Sequence, residues 1–171
     1  MKVVYIISNA SLNPSANTGY ARHIRETING LESTGHSPLL ISAWNFLHPA
    51  TSSRSAESNP ESEKNGLRSF FKPMIPSLIW ESIKDYKSIR SLNAFESYVL
   101  RQCEEFNPDV VLERTSYLSN VGVNVGKKLQ IPVHLEVNAP HVEQRVYLSG
   151  RSHFVFRAKR NELSNYIKAN T

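Results

Sequence analysis

The sequence contains little cysteine and no long apolar run. Its 171 residues include one cysteine, Cys103, so an intrachain disulfide is impossible and nothing argues for an oxidising compartment. The apolar run after Met1 covers about five residues, too few for the core of a signal peptide. No stretch approaches the roughly 18 apolar residues of a membrane-spanning helix. We therefore expect a cytoplasmic protein, with peripheral contact at the inner face of the membrane left open.

Several catalytic and nucleotide-binding signatures are also absent. The chain has neither the dinucleotide fingerprint G-x-G-x-x-G nor the phosphate-binding pattern G-x-x-x-x-G-K-[ST]. These absences disfavour a nicotinamide dehydrogenase and a P-loop kinase. The serine-nucleophile motif G-x-S-x-G is missing as well. Cys103 falls within a helical pattern and is expected to be a small core residue rather than a nucleophile.

The charge balance is basic. Lysine and arginine number 20 against 15 acidic residues, which gives a formal net charge of +5. A basic balance favours anionic partners such as nucleotides, lipid headgroups or nucleic acid, without choosing among them. No recognised RNA- or DNA-binding motif is present, so we expect no nucleic-acid partner.

The order of apolar patterns predicts an α/β fold. Val3–Ile7 is a buried strand pattern, and a helical pattern follows, with Thr18 as its N-cap and Gly35 at its end. Strand patterns recur after Pro38, Pro108 and Pro132. Helical patterns are predicted near residues 76–92, 93–106, 118–129 and 153–168, with a loop at about 139–150 before the last. Gly122 and Gly126 are expected to let the third of these helices approach the sheet closely. This alternation predicts a single Rossmann-like domain over residues 1–171, with a doubly wound parallel sheet and a mobile loop at 45–66.

Three segments follow the carboxyl ends of the predicted strands, where such sheets bind ligands: 8–19, 114–119 and 138–144. In the first, Thr18, Gly19 and Tyr20 open a helix whose backbone N–H groups can bind an anion. The alternative is that Gly19 only eases the loop into the helix. In the second, Glu113 and Arg114 form either a charged pair for a substrate hydroxyl or phosphate, or a structural ion pair.

The third segment gathers hydrogen-bonding side chains. Strand alternation places His134, Glu136 and Asn138 on one side, and His141 follows beyond the strand. Convergent groups of this kind are typical of sugar binding. His141 and Glu143 could contribute to a metal site, but no second cluster of metal ligands accompanies them, so no metal is expected.

Residues 67–92 are both apolar and basic. Ile79, Ile83, Tyr86 and Ile89 form a stripe at helical spacing. The favoured interpretation is a helix that packs this stripe on the sheet and exposes a basic face. The other interpretation is an amphipathic segment lying on an anionic membrane.

Three stretches together resemble the N-terminal domain of family-4 glycosyltransferases. They begin Thr18-Gly-Tyr-Ala-Arg-His, Pro108-Asp-Val-Val-Leu-Glu-Arg and Ile131-Pro-Val-His-Leu-Glu-Val-Asn-Ala-Pro, and their order and spacing match over about residues 1–160. The resemblance implies one half of a retaining GT-B enzyme. In that family the N-terminal domain binds the acceptor, a second domain binds a nucleotide-sugar, and no metal is needed as a rule.

The resemblance also implies roles for individual residues. Thr18, Gly19 and Tyr20 would lie beside the donor diphosphate. Acceptor contacts are expected from four residues: Arg114, Glu136, Asn138 and His141. Asn138 occupies a place where many members carry a histidine, so no catalytic residue is assigned.

Two departures from the family pattern qualify this interpretation. Thr18 replaces the first glycine of the usual pair, and the sequence ends before the donor-binding domain. We therefore expect this chain not to transfer sugar by itself. The alternative function is a non-catalytic module of the same fold that binds a carbohydrate or a protein.

Overall fold

The sheet has four parallel strands in the order β2-β1-β3-β4. The computed structural model describes residues 1–49 and 76–169. The strands are β1 (Lys2–Ile7), β2 (Ser37–Ser42), β3 (Val110–Arg114) and β4 (Val133–Glu136). The all-parallel order confirms the predicted Rossmann-like sheet, and it brings the carboxyl ends of the strands to one edge.

Helices cover both faces of this sheet. They are α1 (Gly19–Ser33), α2 (Ala43–Leu47), α3 (Ser77–Phe106), α4 (Val121–Leu129), α5 (His141–Ser149) and α6 (Val155–Lys168). On one face, Ile24 of α1 packs with Tyr5 and Ile7 of β1. On the other, residues of α3 and α4 pack against Val4 and Ile6. The sheet is therefore doubly wound, as the sequence predicts.

Both predicted ends of α1 are confirmed. Thr18 is the N-cap residue in extended conformation, although its side chain makes no capping hydrogen bond with the described residues. At the other end Gly35 has a φ of +79°, and its N–H bonds to the carbonyl of Glu32. The N–H of His36 bonds to the carbonyl of Leu31. This Schellman arrangement needs the left-handed backbone that glycine adopts without strain.

Two glycines of α4 allow the helix to approach the sheet closely, as predicted. A Cβ at Gly122 would lie 2.8 Å from the Cβ of Glu113, and one at Gly126 would lie 2.1 Å from Val133 Cγ2. Cys103 is buried in the core on this face, which also confirms its predicted place.

The helix boundaries correct three predictions. Residues 77–106 form one helix where two were predicted, because no proline or glycine interrupts them. Residues 45–47 of the predicted loop 45–66 belong to α2, where Ser42 Oγ accepts a hydrogen bond from the N–H of Asn45. Residues 50–66 lie outside the described part. Helix α5 occupies the stretch between residues 139 and 150 that was predicted as a loop.

The first half of α3 faces the opposite way from the favoured prediction. Ile79, Ile83 and Tyr86 are exposed, whereas Glu81 and Asp85 are buried. Ile89, the last member of the predicted stripe, is half-buried and packs against the cluster that contains Leu118, as predicted. Helical spacing identifies an apolar stripe but does not show whether the protein covers it. No helix in the described ranges is long and apolar enough to cross a membrane.

Candidate functional site at the carboxyl edge of the sheet

A polar cluster lies where β3 and β4 end, on the face of the sheet that α1 covers. Glu136 Oε1 accepts hydrogen bonds from Arg114 Nη1 at 2.8 Å, from His23 Nε2 at 3.0 Å and from Asn138 Nδ2 at 2.8 Å. Its other oxygen accepts a hydrogen bond from the Tyr5 hydroxyl. These five residues, called the Glu136 cluster below, join three strands to the beginning of α1.

The surroundings of Glu136 keep its carboxylate charged. Burial acts to raise the pKa of Glu136, but hydrogen bonds from Tyr5 and Asn138 and the positive charges of Arg114 and His23 outweigh burial and hold the pKa below its usual value. Burial, with the hydrogen bond to Glu136, raises the pKa of Tyr5. The cluster thus presents an ionised carboxylate and a protonated phenol at neutral pH.

His23 is more accessible than the two other charged side chains of this cluster. Its side chain is 53% exposed, compared with 20% for Glu136 and 12% for Arg114. It lies one turn inside the N-terminus of α1, beside Thr18, Gly19 and Tyr20. An added Cβ at Gly19 would have no heavy atom within 4 Å, so the space around this helix terminus is open.

Glu113 and Arg114 do not form the charged pair considered from the sequence. Successive strand residues point to opposite faces, and Glu113 is buried on the α4 side. It accepts hydrogen bonds from Ser8 Oγ at 3.1 Å, Ser119 Oγ at 3.0 Å and the N–H of Gly122 at 3.0 Å. Burial raises the pKa of Glu113 against the effect of these bonds. Glu113 therefore ties together the loops that follow β1 and β3.

A groove of about 520 Å³ opens beside these loops. The loop after β1 forms one wall and the first half of α3 another. Most of its lining groups are hydroxyls, an amide or charges: Ser8, Asn9, Ser11, Glu81, Lys84, Asp85, Lys87, Ser88, Ser91, Ser116, Tyr117, Arg145 and Ser149. These groups can hydrogen-bond a hydroxyl-bearing ligand, although more of the exposed lining surface is apolar than polar.

Four charged residues of the groove wall are paired with one another. Arg145 Nη2 lies 2.7 Å from Glu81 Oε2 and 3.1 Å from Asp85 Oδ1. Lys84 Nζ contacts Glu81 Oε1 at 2.8 Å, and the Tyr117 hydroxyl donates to Asp85 Oδ2 at 2.9 Å. Burial acts to raise the pKa of Glu81, but Lys84 and Arg145 hold it below its usual value. Burial raises the pKa of Tyr117 to about 12.

One buried hydroxyl in the lining has unused hydrogen-bonding capacity. Ser116 Oγ has no hydrogen-bond partner in the described part of the chain. Ser116 follows β3 and contributes to the groove lining. Buried hydroxyls are normally paired, so this buried oxygen is an exception next to the groove.

His141 is not hydrogen-bonded to the Glu136 side chain but reaches its residue through Thr115, whose hydroxyl also donates to the backbone carbonyl of Glu136 at 3.2 Å. Its Nε2 is 3.0 Å from Thr115 Oγ1, and its backbone N–H donates to Glu162 Oε1 at 3.1 Å. Burial lowers the pKa of His141, although the negative charge of Glu162 acts to raise it. The lowered pKa favours the neutral ring at neutral pH. Within residues 1–49 and 76–169, no group of three histidine, cysteine or acidic residues could hold a metal.

The structure thus brings together three of the four predicted acceptor residues: Arg114, Glu136 and Asn138. No role for Tyr5, His23 or Arg145 was predicted from the sequence. The position of His23 one turn after Gly19 could have suggested its place. Nothing in the sequence near Arg145 indicates that it reaches Glu81 and Asp85 of α3.

No protein-family model and no curated protein matches the chain. Among solved structures, the chain is similar to the spinosyn rhamnosyltransferase SpnG, with 19% sequence identity and a TM-score of 0.46. The match covers 79% of this chain and 34% of the other, so the aligned part corresponds to about a third of that enzyme's length. Membership of family 4 and retention of configuration stay predictions.

Proposed function

We propose that the chain is the acceptor-binding half of a retaining GT-B glycosyltransferase, which acts with a nucleotide-sugar held by a second domain. The observation that carries this proposal is the polar groove at the carboxyl edge of the parallel sheet. Sugar hydroxyls both donate and accept hydrogen bonds. The groove offers both kinds of partner in its serine hydroxyls and the side-chain amide of Asn9.

The Glu136 cluster supports a second set of contacts to the acceptor. The side-chain amide nitrogen of Asn138 donates a hydrogen bond to Glu136, and the Oδ1 of Asn138 has no hydrogen bond among the described residues. The second ring nitrogen of His23 is likewise without a partner there. Because Glu136 fixes both side chains, each can bind a hydroxyl with little loss of side-chain freedom.

The N-terminus of α1 is the proposed neighbour of the donor diphosphate. Thr18 does not cap the helix through its side chain, and the space at Gly19 is open. The first backbone N–H groups, at Gly19 and Tyr20, could therefore stabilise the negative charge of a leaving diphosphate without a metal. In this proposal His23 and Asn138 hold the acceptor close to that terminus.

A ligand-observed NMR screen tests the proposal. Methyl glycosides and short polyprenyl-phosphate fragments would be compared with UDP and GDP. We expect binding of at least one acceptor fragment and much weaker binding of both nucleotides, because the proposed donor site requires the second domain. Acceptor binding should fall in Asn138→Ala and persist in Lys127→Ala, whose residue lies outside both the groove and the Glu136 cluster. Tight nucleotide binding with no acceptor binding would contradict the proposal.

A further inference from the structure

The outward face of α3 in its first half is apolar and exposed. Ile79, Ile83 and Tyr86 occur at spacings of four and three residues, and their exposed fractions are 47%, 39% and 54%. Phe154, just before α6, lines the same cleft of about 500 Å³. We call the surface formed by Ile79, Ile83, Tyr86, Lys87 and Arg90 the outward face of α3.

Positive charge accompanies these apolar side chains. Lys87 and Arg90 line the cleft with Ile79, Ile83 and Tyr86. The only acidic residues between positions 77 and 92 are Glu81 and Asp85, and both are buried on the other side of α3, where they pair with Arg145. The exposed face thus combines apolar and basic groups and carries no acidic side chain of residues 77–92.

This combination fits the interfacial region of an anionic bilayer. Isoleucines can enter the boundary between headgroups and acyl chains, tyrosine favours the same depth, and lysine and arginine contact anionic headgroups. A second copy of the chain fits less well, because a symmetric contact would bring Lys87 and Arg90 near their own counterparts.

We propose that the outward face of α3 docks on an anionic lipid surface. Lys87 lines both this cleft and the polar groove, so α3 separates the two. Docking would therefore place the groove beside the lipid headgroups. Resting on the proposed function, this arrangement selects a lipid-linked acceptor over a free glycan.

Vesicle flotation of the 171-residue chain tests the docking. Vesicles of phosphatidylcholine alone would be compared with vesicles that also contain phosphatidylglycerol. We expect binding to the mixed vesicles that weakens as salt is raised. The double variant Ile79→Ser/Ile83→Ser should bind at least about tenfold more weakly, because it loses buried apolar area. Lys87→Glu/Arg90→Glu should also lose about tenfold.

A matched control distinguishes docking through this face from nonspecific adsorption of exposed apolar side chains to vesicles. Leu163 and Ile167 of α6 are 61% and 63% exposed but lie outside the cleft, so Leu163→Ser/Ile167→Ser should bind vesicles like the unaltered chain. If Leu163→Ser/Ile167→Ser lost as much vesicle binding as Ile79→Ser/Ile83→Ser, the proposal would be overturned. So would failure to bind mixed vesicles at low salt, or a dimer in light scattering that Ile79→Ser/Ile83→Ser converts to a monomer.

The docking proposal and the proposed function fail separately. Flotation needs no sugar, and the NMR screen needs no lipid. Vesicle binding without glycoside binding would leave the membrane surface supported and contradict the acceptor site. Glycoside binding without vesicle binding would support the acceptor site and contradict the docking.

Discussion

Glu113 and Gly122 fit together with no room for an added carbon. The Glu113 carboxylate accepts a 3.0 Å hydrogen bond from the N–H of Gly122, and a Cβ at position 122 would lie 2.6 Å from Glu113 Oε2. The close approach of α4 to the sheet depends on this contact, which also holds Ser8 and Ser119 through the same carboxylate.

Gly122→Ala is therefore expected to destabilise the fold by about 1–3 kcal/mol, although alanine favours helix formation. Urea unfolding followed by circular dichroism would measure the loss. Gly19→Ala is the matched control, because an added Cβ there meets nothing within 4 Å. It should be neutral or stabilising by up to about 1 kcal/mol. Equal losses at the two positions would contradict the packing described here.

Tyr5→Phe is expected to cost about 1–3 kcal/mol, because it removes a hydrogen bond to a charged carboxylate. Tyr5 is fully buried, and its hydroxyl helps to keep the pKa of Glu136 low. The carboxyl carbon of Glu136 should therefore titrate at higher pH in the variant, as followed by carbon-13 NMR. Tyr98→Phe is the control, since the Tyr98 hydroxyl makes no hydrogen bond with the described residues. An unchanged titration of Glu136 in Tyr5→Phe would refute the prediction.

Stability should depend on pH through Glu136. Its pKa is lower in the folded chain than the ordinary value of about 4.3, so the folded state binds fewer protons than the unfolded state. The resulting stabilisation is present above the ordinary value and is lost as pH falls through the lowered pKa. The unfolding free energies of the unaltered chain and Glu136→Gln should therefore approach each other as pH falls below the ordinary value. A constant difference between pH 7 and pH 3 would be inconsistent with this linkage.

Arg145→Met is expected to destabilise the chain by about 3–5 kcal/mol, because it leaves the buried carboxylate of Asp85 without its cation. Chemical denaturation would measure this loss. Arg101→Met serves as the control, since Arg101 is exposed on α3 and should change stability by less than about 0.5 kcal/mol. Similar losses in both variants would show that the buried contact has no special weight.

Much of the fold could be predicted because local signals and packing agree. The apolar run Val3–Ile7 is the strand β1 with partners on both sides, and Gly35 ends α1 with the left-handed backbone that its position predicts. Gly122 and Gly126, four residues apart, predicted that α4 lies close to the sheet, and the structure has no room for a Cβ at either position. In each case a single residue type carries a backbone or packing requirement that few alternatives satisfy.

The rest depended on contacts between distant segments. The spacing of Ile79, Ile83 and Tyr86 is that of a helix stripe packed on a core. However, Arg145, some sixty residues later in the sequence, pairs with Glu81 and Asp85, so the opposite side of α3 is the buried one. The Glu136 cluster was predicted in part, because alternation along β4 places Glu136 and Asn138 on one side. Tyr5 and His23 join them only through the order of the strands and the position of α1.

The central claim is that an acceptor sugar binds at the carboxyl edge of the sheet. Its most direct test is a proton–nitrogen correlation NMR titration of the chain with the best glycoside from the screen. The account predicts that the largest shifts fall on Asn9, Ser11, Ser116, Tyr117 and Asn138, and that they shrink in Asn138→Ala. Shifts centred instead on Lys127 and Gln130, beside the start of β4, or no shift with any glycoside, would contradict it.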